Sequence, residues 1–395
     1  MNLFKSTYND IVEKKLRAES GGVNAIPFAM PALSRYVPGI MESTQYGLTA
    51  ESGASKSKFI RYNFVQTPYD FYIENRERKD IDIEIFIFCL EDSADTVMKN
   101  FIVSALAKQK GIRLSTLSLN SYFEGDILSD KVRKEISLLE PYFEEFLSKV
   151  HIIDGINNPY GIYRTVRDKL LEPSNGNYVD KHNNKIVLDE HKNVPEIYKG
   201  EKLTYKSTAT NKFTIVAIDN LQGVETEKSD EGSKWKAYDN LCRKYMRGLL
   251  CNVFKTCNII VQQQEKSSGK AQYTNTGNQV VDKLLPSIAG LSEYKNSVDS
   301  AHCMFGLFNP YKHKVENFEA SSNNWYDISQ LGDYYRNLMI LKSNFAATIN
   351  TSLFFDSFAE QFIELPNGND KEKMLKVYEH IMKLNGQTSN SSLLY

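Results

Sequence analysis

The feature that most constrains this chain is a set of short apolar runs that each end on a polar or acidic residue. The strongest is DIDIEIFIFCLE at 80–91, β-branched and aromatic, closing on Glu91. FTIVAIDNL ends at Asp219 and its neighbour, and CNIIVQQQ ends on glutamines that include Gln263. Runs without alternation belong to strands buried on both faces, and such strands sit in parallel sheets covered by helices. Helical patterns fall between them. Val97, Phe101, Ile102 and Ala105 recur near every fourth position within 93–110, KSKFIRYNFV reads as helix, 125–150 as a helical hairpin interrupted by Pro141, and 231–256 as a long helix. AHCMFGLF and LMILKS read as later strands. The alternation predicts the α/β class, with a central, mostly parallel twisted sheet flanked by helices. Acids at the carboxyl ends of strands predict ligand binding at that edge.

The rest of the chain divides around this core. A short charged helix is predicted over Asn9 to Arg17, and the Gly- and Pro-punctuated stretch 20–41 as an ordered surface arm. The predicted units are an N-terminal helix and arm at 1–40, a core at 41–366, and a C-terminal helix and tail at 367–395, with little to form structure beyond Asn385. Residues 172–211 are polar, rich in Asn and Lys and poor in core residues; they read as an insertion, a hairpin projecting from the body. No internal repeat is evident. Formal charge is −1, from 48 basic against 49 acidic residues, which argues against a globally basic nucleic-acid binder and leaves room for a local groove. Five cysteines without a CxxC pair argue against a disulfide scaffold or zinc ribbon. His182 and His191, in the insertion, read as solvated. Apolar stretches such as IEIFIFCL are too short to cross a bilayer, so a cytoplasmic protein with no membrane partner is expected.

Four segments carry chemistry. Between a strand and a helix lies Ala50-Glu51-Ser52-Gly53-Ala54-Ser55-Lys56-Ser57. The phosphate-binding pattern GxxxxGK[ST] asks for glycine where Ala50 and Ser55 stand, and keeps Lys56 and Ser57. In that reading the backbone of residues 51–57 cradles phosphate, Lys56 holds the β and γ phosphates of ATP, and Ser57 ligates Mg²⁺. The same segment also reads as a Ser-rich turn before a Lys-rich helix. Glu91 could polarise a water for attack on phosphate, or simply close a solvated strand end with Asp92 and Ser93 as helix caps. Asp219 has the form of an acid that orients Mg²⁺. Gln263 could sense the terminal phosphate, or be a bland strand end. The polar loop 265–285 follows, with Lys266, Lys270 and Tyr273 offering charge and stacking to a nucleic-acid strand, or ordinary solvation. The order of these segments favours a nucleotide-binding core.

IFCLEDSADTVMKNFIVSALA, FTIVAIDNLQ, IIVQQQEK and ISQLGDYYRNLMILKSN together resemble the RecA-like ATPase core of DnaB-type replicative helicases and their phage relatives, over about residues 30–366. The resemblance implies a P-loop ATPase with Glu91 as catalytic base, Asp219 at the metal, Gln263 as sensor and Lys266 at the place of a family arginine. Lys342 matches the lysine of the family's K-x-R motif, which acts on the neighbouring subunit. Asn344 stands where the finger arginine belongs, leaving Arg336 on the same element as a substitute. Ser-Ala-His at 300–302 replaces an acidic D-A-D segment. The implied function is an ATP-dependent helicase or translocase acting on single-stranded DNA as a ring hexamer in the cytoplasm (the host's, if viral), with primase, polymerase or loader partners. The family's primase-binding domain is expected to be absent, and the N-terminal arm to pack on the adjacent subunit. Two alternatives stand beside it: a recombinase-like ATPase forming filaments, and a nucleotide-degenerate structural or loading subunit.

Overall fold

The computed structural model describes residues 3–79, 81–122, 127–180, 182–198, 200–201, 203–209, 211–265, 281–292, 294–345 and 347–392. Its strands are β1 (Thr44–Ala50), β2 (Asp82–Cys89), β3 (Val150–Ile153), β4 (Gly176–Val179), β5 (Thr204–Ser207), β6 (Lys212–Asp219), β7 (Cys257–Gln263), β8 (Cys303–Phe308), β9 (Asn317–Ser321), β10 (Asn324–Asp327), β11 (Tyr335–Ser343), β12 (Asn350–Asp356) and β13 (Gln361–Glu364). Nine form one sheet in the order β13-β12-β11-β8-β1-β7-β6-β2-β3. From β3 to β8 every pairing is parallel, and β11, β12 and β13 continue the sheet antiparallel. The predicted α/β architecture with a mostly parallel central sheet is therefore what the chain adopts.

The unbroken apolar runs have the expected cause. Alternate side chains of a strand face opposite sides. Ile85 and Ile87 enter one core with Phe59, Phe64, Phe101 and Leu106 from the helices that follow β1 and β2. Phe86 and Phe88 enter a second core with Ile162, Val166, Leu241 and Met246 on the other face. The helix after β1 runs without a break as Lys56–Ile60, a π-type stretch Arg61–Gln66, and Thr67–Lys79. Ser93 caps the helix Ala94–Lys110 by accepting from the Thr96 N–H, as its sequence suggested.

Four expectations change. Residues 20–41 do not form a surface arm: Ile26, Phe28, Met30, Leu33, Val37 and Ile40 are all buried in the first core. The helix before them is longer than predicted, Leu3–Glu19, and the last helix runs Lys371–Ser392, through residues expected to lack structure. The insertion is a hairpin of β4 and β5, but it does not stand off from the body. Tyr178, Ile186 and Tyr205 are buried against Tyr163 and Phe254 in the second core. It also carries a short repeat, D-x-H-x-N, at 180–184 and again at 189–193. In each copy the Asp carboxylate accepts two backbone N–H bonds and the Asn side-chain amide, closing the same turn. Among the described residues, no helix is long and apolar enough to cross a membrane.

Candidate nucleotide site

Parallel strands deliver their carboxyl ends to one edge, and β1, β6 and β2 bring the expected residues together there. The loop 51–55 leaves β1 and turns into the helix that begins at Lys56. Gly53 has φ +76°, and Ser55, where the phosphate-loop pattern has glycine, takes a left-handed conformation of φ +76° and ψ 32°. The fold thus keeps the glycine geometry without the glycine, at roughly 1–2 kcal/mol. Lys56 Nζ donates to the Glu51 carbonyl at 2.9 Å. The Ser57 hydroxyl bonds the Asp219 carboxyl across from β6.

Asp219 and Glu91 are held side by side. The Leu90 N–H donates to the Asp219 carbonyl at 2.8 Å. Gly223, in the turn after Asp219, lies so close to Leu90 that a Cβ there would meet its carbonyl oxygen at 2.6 Å. The Asp219–Asn220 peptide is cis. Burial raises the Asp219 carboxyl above the usual range; the bond from Ser57 and the charge of Arg61 oppose that, while Glu91 and Asp92 add to it. Burial likewise lowers Lys56, against the pull of Asp219, Glu91 and Glu51. A desolvated lysine and a desolvated carboxyl, with Glu91 beside them and a hydroxyl at a helix start, suit a bound phosphate and divalent cation. The residues present therefore fit ATP and Mg²⁺: the backbone of Glu51, Ser52, Gly53, Ala54 and Ser55 with Lys56 for phosphate, Ser57 and Asp219 for the metal.

Gln263 closes β7 opposite Ala50. Ile259 and Val261 pack into the first core, so Gln263 continues the face that carries Ser57 and Asp219. Its neighbours face the other way and are fixed there: Gln262 bonds the Tyr294 carbonyl and Ser297, and Gln264 bonds Thr49 and the Ser287 carbonyl. Lys266, Lys270 and Tyr273 lie outside the described residues.

The two residues expected to reach a neighbouring site are turned inward in this protomer. Arg336 is 1% exposed; its Nη2 donates to Ser55 Oγ at 3.1 Å, its Nη1 to the carbonyls of Asp333 and Tyr335, and its guanidinium lies 4.7 Å from the Phe355 ring centre. It supports its own phosphate loop from beneath, a placement that does not suit a finger reaching another chain. Lys342 donates to the carbonyls of Val298 and Ala301 at 2.7 and 2.8 Å. His302 sits at the opposite edge of the sheet, where burial with Arg247 and Lys342 nearby lowers it to about 4 and its Nδ1 accepts from the Gln45 N–H.

Sequence reasoning missed Lys312 and His313, in the turn after β8. Lys312 Nζ donates to the Ser52 carbonyl at 2.6 Å and pairs with Glu51 Oε2 at 3.1 Å; His313 Nε2 meets Glu51 Oε1 at 2.6 Å. It also missed Arg61, whose guanidinium is buried in a two-pronged pair with Glu360 at 2.8 and 2.6 Å. Arg61 lies on the helix that Lys56 opens, a weak signal at most.

No family model matches the sequence, and no curated protein is significantly similar to it. Solved structures are. One, described as a DnaB-like replicative helicase and its interactions with primase, superposes with a TM-score of 0.58 at 17% identity, over 92% of this chain and 67% of that one. The chain has the fold of a DnaB-type, RecA-like ATPase core. A second, described as an ATPase domain, gives a TM-score of 0.57 at 15% identity, over 93% of this chain and 100% of that one.

Proposed function

We propose that this chain is an ATP-driven motor of the replicative helicase kind, moving on single-stranded DNA as a ring of identical subunits. The observation that carries the reading is the Ser57–Asp219 bond beside Lys56 and Glu91 at the carboxyl edge of β1, β6 and β2. Mg²⁺, when bound, neutralises charge on the phosphates and is held by Ser57 and Asp219. Lys56 grips the phosphate chain. Glu91, exposed at the end of β2, takes the proton of the attacking water. Gln263, on the same face, relays the state of the phosphate toward the segment with Lys266, Lys270 and Tyr273, where the DNA would run.

Ring assembly is supported by the helix Leu3–Glu19, which leaves Phe4, Tyr8, Ile11 and Leu16 more than half exposed along one short element. A neighbouring copy would cover them. The DnaB-like helicase of known structure is described with primase, and a primase, polymerase or loader is the natural partner class here as well.

Steady-state ATP hydrolysis with and without single-stranded DNA tests the proposal. Wild-type turnover should rise with DNA. Lys56→Ala should abolish it, and Glu91→Gln should lower it by about 10²–10⁴-fold, the usual worth of a general base. Absence of turnover in the wild type would favour the second reading, a nucleotide-degenerate structural or loading subunit. That reading is favoured by Ser55 in place of glycine, by Asn344 in place of the finger arginine, and by Arg336 being committed inside its own protomer. Filaments rather than rings in electron micrographs would instead indicate a recombinase-like ATPase.

A further inference from the structure

Lys56 is not the sole ammonium on the phosphate loop. Lys312, brought in by the turn Tyr311–His313 after β8, donates to the carbonyl of Ser52, the residue after the one that Lys56 bonds. It lies within 3.9 Å of where a Cβ on Gly53 would be. Two cations thus hang on consecutive carbonyls of one loop. Glu51, their shared neighbour, holds Lys312 through one carboxylate oxygen and His313 through the other. The His313 ring stacks on Phe308 at 5.6 Å, which fixes the turn to the end of β8. Lys312 is 44% exposed in its side chain, so it keeps an open side toward solvent.

We propose that Lys312 is a second phosphate-binding lysine, acting within its own subunit on the inner phosphates of the nucleotide, and that Glu51 holds it in reserve until nucleotide arrives. The side of approach assigns the inner phosphates. Asp219 ends β6 and Glu91 follows β2, both on one flank of β1, while Lys312 follows β8 on the other. The bond to be cleaved must face the acids, so Lys312 meets the part of the chain left behind. The loop also has reason to need a second cation, because it lacks glycine at 50 and 55 and the finger position is Asn344. Lys312 opposes the protonation of Lys56, as one ammonium does another, and an anion placed between them would relieve both.

The inference rests on the nucleotide-binding reading, and the test separates the two. Affinity for fluorescent mant-ATP and mant-ADP is measured by titration, with thermal melting of each variant in the absence of nucleotide. Lys312→Ala should weaken both ligands by about tenfold, the worth of one charge-assisted bond, and leave their ratio unchanged. Lys312→Arg should retain most of the binding. Glu51→Gln, which releases Lys312, should tighten both ligands severalfold. If Lys312→Ala has no effect, or if Lys312→Ala and Glu51→Gln weaken binding alike, the contact is a structural strap and the proposal is overturned. Loss confined to mant-ATP would overturn the inner-phosphate assignment. No binding by the wild type itself, indistinguishable from Lys56→Ala, would sink the nucleotide reading and this one with it.

Discussion

Two charged regions flank the helix that begins at Lys56, and they are built on opposite principles. Where the β12–β13 turn meets that helix and the segment after Ala94–Lys110, the charges are matched. Arg61 and Glu360 are each about 3% exposed and share two bonds, and Arg113 and Asp356 share two more at 2.7 and 2.9 Å. Burial alone would lower the Arg61 guanidinium, but Glu360 holds it above its ordinary value. About a turn before Arg61, at the start of the same helix, the charges are mismatched. Asp219 is desolvated beside two further acids, Arg336 is lowered by burial with Asp333 as its partial counterweight, and Lys56 bonds a carbonyl. Matched pairs fix the frame; the mismatched end has free energy to gain from a charged ligand.

Breaking the matched side should have the largest effect. Glu360→Ala leaves a buried guanidinium without a counter-charge, and removing one partner of a buried pair typically costs about 3–5 kcal/mol. Urea unfolding should show a loss of that size. The paired change Arg61→Met with Glu360→Leu should recover most of it, because burying the pair was itself expensive. A Glu360→Ala protein as stable as wild type would show that solvent reaches Arg61 and that the contrast between the two regions is unfounded.

This contrast also tracks what could be read from the sequence. Glu91, Asp219 and Gln263 were legible because a strand buried on both faces has no alternation, so its polar end stands out against an apolar run. Ser57 was legible through its place after Lys56. The frame was not. Arg61 meets Glu360 across 299 positions, Lys312 meets Glu51 across 261, and Arg336 meets Ser55 across 281, with no local pattern at either end. Arg336 was read toward a neighbouring subunit because sequence shows which element carries it but not which way it turns. The stretch 20–41 misled for a related reason: Gly and Pro break any periodicity, so its buried Ile26, Phe28 and Met30 resembled a surface segment.

On the mismatched side, Asp219→Asn should stabilise the nucleotide-free protein by about 1 kcal/mol, the scale of a relieved functional-site conflict, while removing Mg²⁺-dependent nucleotide binding. The pH dependence fixes the sign. The folded protein holds this proton more tightly than the unfolded chain does, so the unfavourable charge of Asp219 is present above the raised value and is relieved as pH falls through it. The advantage of Asp219→Asn over wild type should therefore be largest above the raised value and fade as pH falls through it toward the ordinary carboxylate range. Metal-dependent binding by wild type should weaken over the same interval, since a carboxyl must be ionised to ligate Mg²⁺. Chemical denaturation of both proteins across pH measures this. An advantage that grew toward low pH would mean that Asp219 is held as a favourable anion, and that this end of the helix is not mismatched.

The smallest effect concerns Ser55, where backbone strain and a side-chain bond oppose each other. Ser55→Ala keeps the left-handed backbone and removes the oxygen that accepts from Arg336, so it should destabilise by about 1 kcal/mol. Ser55→Gly removes the same oxygen but relieves a conformation that costs an L-residue roughly 1–2 kcal/mol. The glycine protein should therefore be near wild type and at least about 1 kcal/mol more stable than the alanine protein. Equal stabilities for the two would show that Ser55 is not strained in solution. A glycine protein much less stable than wild type would show that the loop depends on the Arg336 bond more than on its backbone, and that the mismatched region carries a buried partnership of the matched kind.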